Sequence, residues 1–315
     1  MLFPMRVSPW AKLPAWHVLR ISCVLLLALT LSESATAASG NRWLILMCGL
    51  PGDDEHRENL TEAVKLIATS ASSALQVEAP RLKVVVGDET MVSDLAKELP
   101  SAPICTRESV AEILQGVAKD MQPVDACWLI MLGHASYYNN RSAFNVQGRD
   151  FDAQELVGWL KPIQSQERVI FCTFPVSGMW LKPLRDNHAV TIAATDGSEF
   201  TATEMPYALA RVLSGKHETQ ELADIDKDGS ISLLDLYLAT NLEIHGRFKS
   251  LERLQSEHAL LDDNGDGLGR ELQTAYLPLD ESPDKAITKR KKSAVKSSNS
   301  DGDLAKRILL RVVPK

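Results

Sequence analysis

The sequence predicts an α/β fold, a doubly wound and mainly parallel sheet followed by a small helical module. Three observations carry this: continuously apolar runs of strand length, helical periodicity between them, and an abrupt change to acidic loops after residue 215. The first run, "RWLILMCGL" (42–50), is apolar throughout, as a strand covered on both faces must be. "HRENLTEAVKLIATSASSAL" (56–75) follows, with apolar residues at helical spacing. "LKVVVGD" (82–88) is the second strand, and "TRESVAEILQGVAKDM" (106–121) a second helix opening on Thr106, with Glu108 and Ser109 placed for a capping box. "ACWLIMLGHAS" (126–136), the helix "DAQELVGWLKPI" (152–163), "RVIFCTF" (168–174) and "AVTIAATDG" (189–197) complete the alternation.

The ends of the 315-residue chain read differently. Arg6, Lys12 and Arg20 precede the apolar stretch "ISCVLLLALTL" (21–31), and "ATA" (35–37) follows, the three parts of a secretory signal peptide at 1–37. No later segment is apolar enough to span a bilayer, so the expected location is periplasmic or extracellular. Residues 281–315 carry ten Lys and Arg against four acids, while the whole chain is at −7. The body is therefore strongly acidic, which argues against nucleic acid as its partner. The basic, Ser-rich tail reads as a largely disordered extension. The chain between divides into an α/β domain (38–215) and a helical calcium-binding segment (216–280). Cys48, Cys105, Cys127 and Cys172 show no zinc spacing; three lie in strand-like runs and read as buried thiols, with one disulfide as the alternative.

In parallel sheets, sites form beyond the carboxyl ends of the strands. Two such ends carry chemistry here, "LGHAS" with His134 and "CTFPVSG" with its tight turn. "GLPGDD" after the first strand is acidic, which argues against a phosphate cradle. The pairing of "WLIMLGHAS" with "RVIFCTFPVSG", the segment "GRDFDAQELVGWL" (148–160) and the two acidic loops downstream resemble secreted bacterial members of the caspase–legumain–gingipain clan of cysteine peptidases, over about 43–280. The resemblance implies a caspase-like fold, with His134 as the base and Pro175 at the position of the nucleophile. Ser177 and Gly178 match the small residues after it, and Ala135 stands where the clan has glycine.

A cysteine peptidase needs a thiolate beside a base, and two N–H donors facing the oxyanion. Proline supplies neither sulfur nor N–H, so one residue removes both functions. Cys172 is a poor substitute: three positions back along a strand it lies about 10 Å away and faces the other side. Ser177, in what reads as an exposed turn, is the other unfavourable substitute. His134 is then a remnant base.

"DIDKDGSISLLD" (224–235) fits the twelve-residue EF-hand loop. Asp224, Asp226 and Asp228 stand at positions 1, 3 and 5, with Gly229 at the turn. Ser230 offers its carbonyl, Ser232 a place for water, and Asp235 closes the loop where glutamate is usual. "DDNGDGLGRELQ" (262–273) supplies Asp262, Asn264 and Asp266 but ends on Gln273. The interval between the loops has room for paired helices, so the loops are expected to brace each other. The expected cofactor is Ca2+. The sequence thus supports an exported calcium-binding pseudopeptidase serving as a binding or scaffold module for a protein or peptide ligand. The competing reading is an active cysteine-type endopeptidase rearranged around His134.

Overall fold

The computed structural model describes residues 40–277 and 300–312; the signal-peptide reading at 1–37 and most of the basic tail lie outside them. Strand β1 (Arg42–Cys48) leads into helix α1 (Asp54–Leu75), whose N-cap Asp53 accepts the His56 N–H. β2 (Leu82–Val85) and the short α2 (Glu89–Asp94) precede α3 (Arg107–Asp120), which opens on the expected capping box of Thr106 and Ser109. β3 (Ala126–Leu132) continues into a small antiparallel sheet of β4 (Ala135–Tyr138), β5 (Arg141–Phe144) and β6 (Phe151–Asp152). Then follow α4 (Ala153–Leu160), β7 (Glu167–Cys172), α5 (Gly178–Leu184), β8 (Ala189–Ala193) and α6 (Met205–Ser214).

The central sheet has the order β2-β1-β3-β7-β8, all parallel, and β10 (Leu260–Asp262) adds antiparallel to β8 as a sixth strand. Both faces are dry. Leu44, Leu46, Trp128, Ile130, Phe171 and Ile192 face α1 and α6, while Ile45, Met47, Leu129, Met131, Ile170 and Cys172 face α3, α4 and α5. That two-sided burial is why the strand segments show no polar alternation. The order reverses between β1 and β3, so the crevice beyond their carboxyl ends is the switch point of the sheet.

Residues 216–277 differ from the expected paired module. β9 (Ser230–Ser232) leads into α7 (Leu233–Ser250), the exiting helix of the first loop. No helix enters either loop: residues 215–229 and 252–259 are non-helical, and the second loop begins from β10 in the main sheet. Nor do the loops brace each other, because β9 pairs with β11 (Leu309–Val312). The apolar residues of α7 are absorbed by the sheet domain, Leu233, Leu236 and Tyr237 being buried in the same core as α1 and α6. The short helices α8 (Gln273–Tyr276) and α9 (Asp303–Arg307) flank this region.

The disordered-tail expectation fails for residues 300–312. Ala305, Ile308 and Leu310 are buried in the core, and the apolar segment "ILL" within a basic context is what docks them.

Candidate functional site

His134 emerges two residues beyond β3, beside the end of β1. Its Nε2 lies 2.9 Å from the carbonyl oxygen of Pro51, across the switch point. A carbonyl only accepts, so Nε2 carries the proton and Nδ1 keeps its lone pair. The His56 ring meets His134 edge-on at 4.8 Å, and His56 Nδ1 is held in turn by Asp53 at 2.8 Å. Burial, with the His56 charge adding, pushes the His134 pKa below its ordinary value, so the imidazole is neutral at neutral pH. The imidazole is therefore neutral and anchored through Nε2.

The position where the sequence resemblance expects a nucleophile holds a proline. Pro175 occupies the turn after β7 and is buried, as are its neighbours Phe174 and Val176. The strain of the turn has passed to Val176, a β-branched residue at φ 59°. Val176 is pinned there by donating its N–H to the Glu199 carbonyl at 3.0 Å. Ser177 does not lie in an exposed turn as its sequence context suggests. It is fully buried, its Oγ accepts the Thr195 N–H at 3.2 Å, and its own N–H goes to Thr195 Oγ1. Gly178 is fixed by the same close approach, since a Cβ there would meet Asp196 backbone at 2.7 Å.

Cys172 lies within β7, paired with Met131 and fully buried in the sheet face opposite the α1 side. Burial pushes its thiol far above the ordinary value, as it does for Cys48, so neither forms a thiolate readily. Cys48, Cys105, Cys127 and Cys172 are all free and buried, which decides against a disulfide among them.

The acidic loop at 224–235 is the better-assembled centre. Among the described residues, Asp224, Asp226 and Asp235 bring one carboxylate oxygen each within 4.8 Å of the others. Local backbone geometry sets them. Gly229, at φ 98°, donates its N–H to Asp224 Oδ2 at 3.0 Å, and the Asp228 N–H bridges to Asp224 and Asp226. Asp235 is fully buried and closes the loop from both sides. Its Oδ1 accepts the N–H groups of Ile225 and Asp226, and its Oδ2 accepts the N–H and hydroxyl of Ser232. Ser232 caps α7, so this hydroxyl is committed to the capping box and not to a water. Burial pushes the Asp235 carboxyl above its ordinary value despite those four donors. The donor set is oxygen only, which suits a hard divalent cation. Asp228 is exposed and outside the converging three, its Oδ1 accepting the Ser230 N–H at 3.0 Å.

Two features here escaped sequence reading. Lys306, from the supposed tail, places its ammonium 2.9 Å from Asp226 Oδ2. The second loop has also been diverted to structure. Asp262 holds the N–H groups of Gly265 and Gly267 as a first loop position should, and Asn264 accepts from the Asp266 N–H. Gln273, however, is buried and turned away to Tyr237 and to the Ala259 carbonyl. Asp263 meanwhile caps α9 by accepting from Gly302, Leu304 and Ala305. Burial, with the charges of Asp262, Asp263 and Asp266 adding, pushes the adjoining Asp301 up to about 6. Among the described residues, no third carboxylate converges with Asp262 and Asp266 as three do in the first loop. No helix among the described residues is long and apolar enough to cross a membrane. Compared with known proteins, the chain matches no protein-family model and no curated sequence.

Proposed function

We propose that this chain is an exported calcium-binding protein on a caspase/legumain-like α/β fold, a pseudopeptidase that serves as a binding or scaffold module. The observation that carries it is the convergence of Asp224, Asp226 and Asp235 within 4.8 Å, in a loop whose backbone N–H groups orient each carboxylate. Asp224, Asp226 and Asp235 would hold the ion, with Asp228 reachable from the exposed side of the loop. Calcium tolerates the irregular oxygen geometry that a loop closed by aspartate provides. Its role is structural: it offsets the repulsion of carboxylates that α7 and β9 otherwise force together.

The peptidase centre supports the non-catalytic half of the reading. His134 retains its anchor, but Pro175 presents neither thiol nor N–H, and Ser177 is consumed by Thr195. A protein or peptide ligand is the expected partner. The exposed rings of Tyr137, Tyr138 and Phe200 flank this end of the sheet, Tyr137 and Phe200 packing edge-on at 5.1 Å.

One observation favours the competing reading of an active cysteine-type endopeptidase: the tautomer of His134 leaves Nδ1 ready to take a proton. The two readings separate in a thermal melt with calcium, combined with an alkylating thiol probe. The pseudopeptidase reading expects a calcium-dependent rise in melting temperature that is lost in Asp224→Ala, and no alkylation of Cys48, Cys105, Cys127 or Cys172 in the folded chain. Selective alkylation of Cys172 that vanishes in His134→Ala would transfer the case to the peptidase.

A further inference from the structure

The geometry points to the C-terminal segment as a built-in antagonist of the 224–235 cation site, a regulation that rests on the calcium reading above. The ammonium of Lys306 lies 2.9 Å from Asp226 Oδ2, on one of the three carboxylates that must receive the ion. The Asp226 side chain is enclosed, so this contact is screened less than a surface pair.

A docked segment delivers the charge. α9, which carries Lys306, is capped by Asp263 of the second loop through three backbone N–H groups. β11 then pairs antiparallel with β9 of the first loop, Leu309 opposite Ser232, and Leu233 donates its N–H to the Ile308 carbonyl at 2.8 Å. The Lys306 ammonium also lies 5.2 Å from the centre of the Tyr276 ring, which holds it by cation–π attraction. Residues 300–312 therefore tie the two acidic loops together in place of the missing loop-to-loop pairing, and leave a fixed positive charge at the first.

A divalent cation entering among Asp224, Asp226 and Asp235 meets that charge at close range. Lys306 withdraws part of the Asp226 attraction and repels the ion directly, which lowers calcium affinity by at least about tenfold, the factor that even a dielectric as high as that of water would give. Linkage makes the effect reciprocal, so bound calcium weakens the Lys306–Asp226 contact by the same factor. The segment 300–312 thereby reports the calcium state of the loop.

Calcium titration calorimetry on the full chain tests this with Lys306→Met, which keeps an unbranched apolar side chain without the charge, and Lys306→Arg, which keeps the charge. Lys306→Met is expected to bind calcium at least about tenfold more tightly, with Lys306→Arg close to the unsubstituted chain. Equal or weaker binding by Lys306→Met, in a variant that melts as a folded protein, overturns the antagonism and leaves the calcium reading standing. Absence of calcium binding in all three proteins overturns the calcium reading, and the antagonism with it.

Discussion

Asp235 accepts the backbone N–H of Ile225 from ten residues away, 2.7 Å from its Oδ1, while its Oδ2 holds Ser232. One buried carboxylate thus closes the acidic loop and starts α7. Asp235→Ala leaves four donors without a partner, and the expected loss is about 2–4 kcal/mol in calcium-free urea denaturation. Asp235→Asn, which keeps the shape and one acceptor, is expected to lose less. A loss under about 0.5 kcal/mol for Asp235→Ala would show that the loop is not locked this way.

Docking of residues 300–312 is equally exposed to measurement. Ile308 and Leu310 are 4% and 3% exposed, so truncation of either to Ala is expected to destabilise the fold by about 2–4 kcal/mol. A disordered tail would give no change. The denaturation midpoints of the two variants decide.

The thiols offer a third check. Cys48, Cys105, Cys127 and Cys172 are buried, and burial raises the pKa of each. In the native protein none is expected to react with a thiol reagent within hours at pH 8, and all become reactive in denaturant. Rapid native labelling of Cys172 would contradict its assignment to the core.

Stability should fall as pH rises above neutrality. His258 Nδ1 is bonded to Glu199, whose carboxylate raises the imidazole above its ordinary value of 6.5. A raised basic group stabilises the fold fully below 6.5, and the contribution is lost as pH climbs through the folded value. The side chain of His258 is 45% exposed, so its share is modest. Glu257 acts in the same direction: burial raises it from 4.5 to about 8, so folding holds a proton that the unfolded chain releases across that window. Melting temperature is expected to decline between pH 6.5 and 8, with a shallower slope in His258→Gln. A melting temperature that rises across this range would contradict both assignments.

The strands were legible because a sheet buried on both faces leaves continuous apolar runs, and "RVIFCTF" matched β7 within a few residues. The Thr106 capping box was legible for the same reason, being a local pattern. So was the acidic turn of the first loop, since Asp224, Asp226 and Gly229 are tied to neighbours a few residues away. What failed was non-local. The bond between His134 and Pro51 joins residues 83 positions apart, and the contact between Lys306 and Asp226 spans nearly as long a stretch. Nothing in the second-loop pattern reveals that Gln273 turns to Tyr237, or that Asp263 caps a helix forty residues downstream. A signal for β11 did exist, in "RILLRV", where buried Ile308 and Leu310 alternate with exposed Arg307 and Leu309. The lysine-rich surroundings masked it.

The most direct measurement is calcium titration calorimetry of the unsubstituted chain beside Asp224→Ala. One ion per chain is expected, with the heat abolished in Asp224→Ala while that variant still melts cooperatively, because among the described residues only the first loop closes three carboxylates on one point. No calcium heat in the unsubstituted chain, or heat that survives the substitution unchanged, would contradict the cation site on which the functional reading stands.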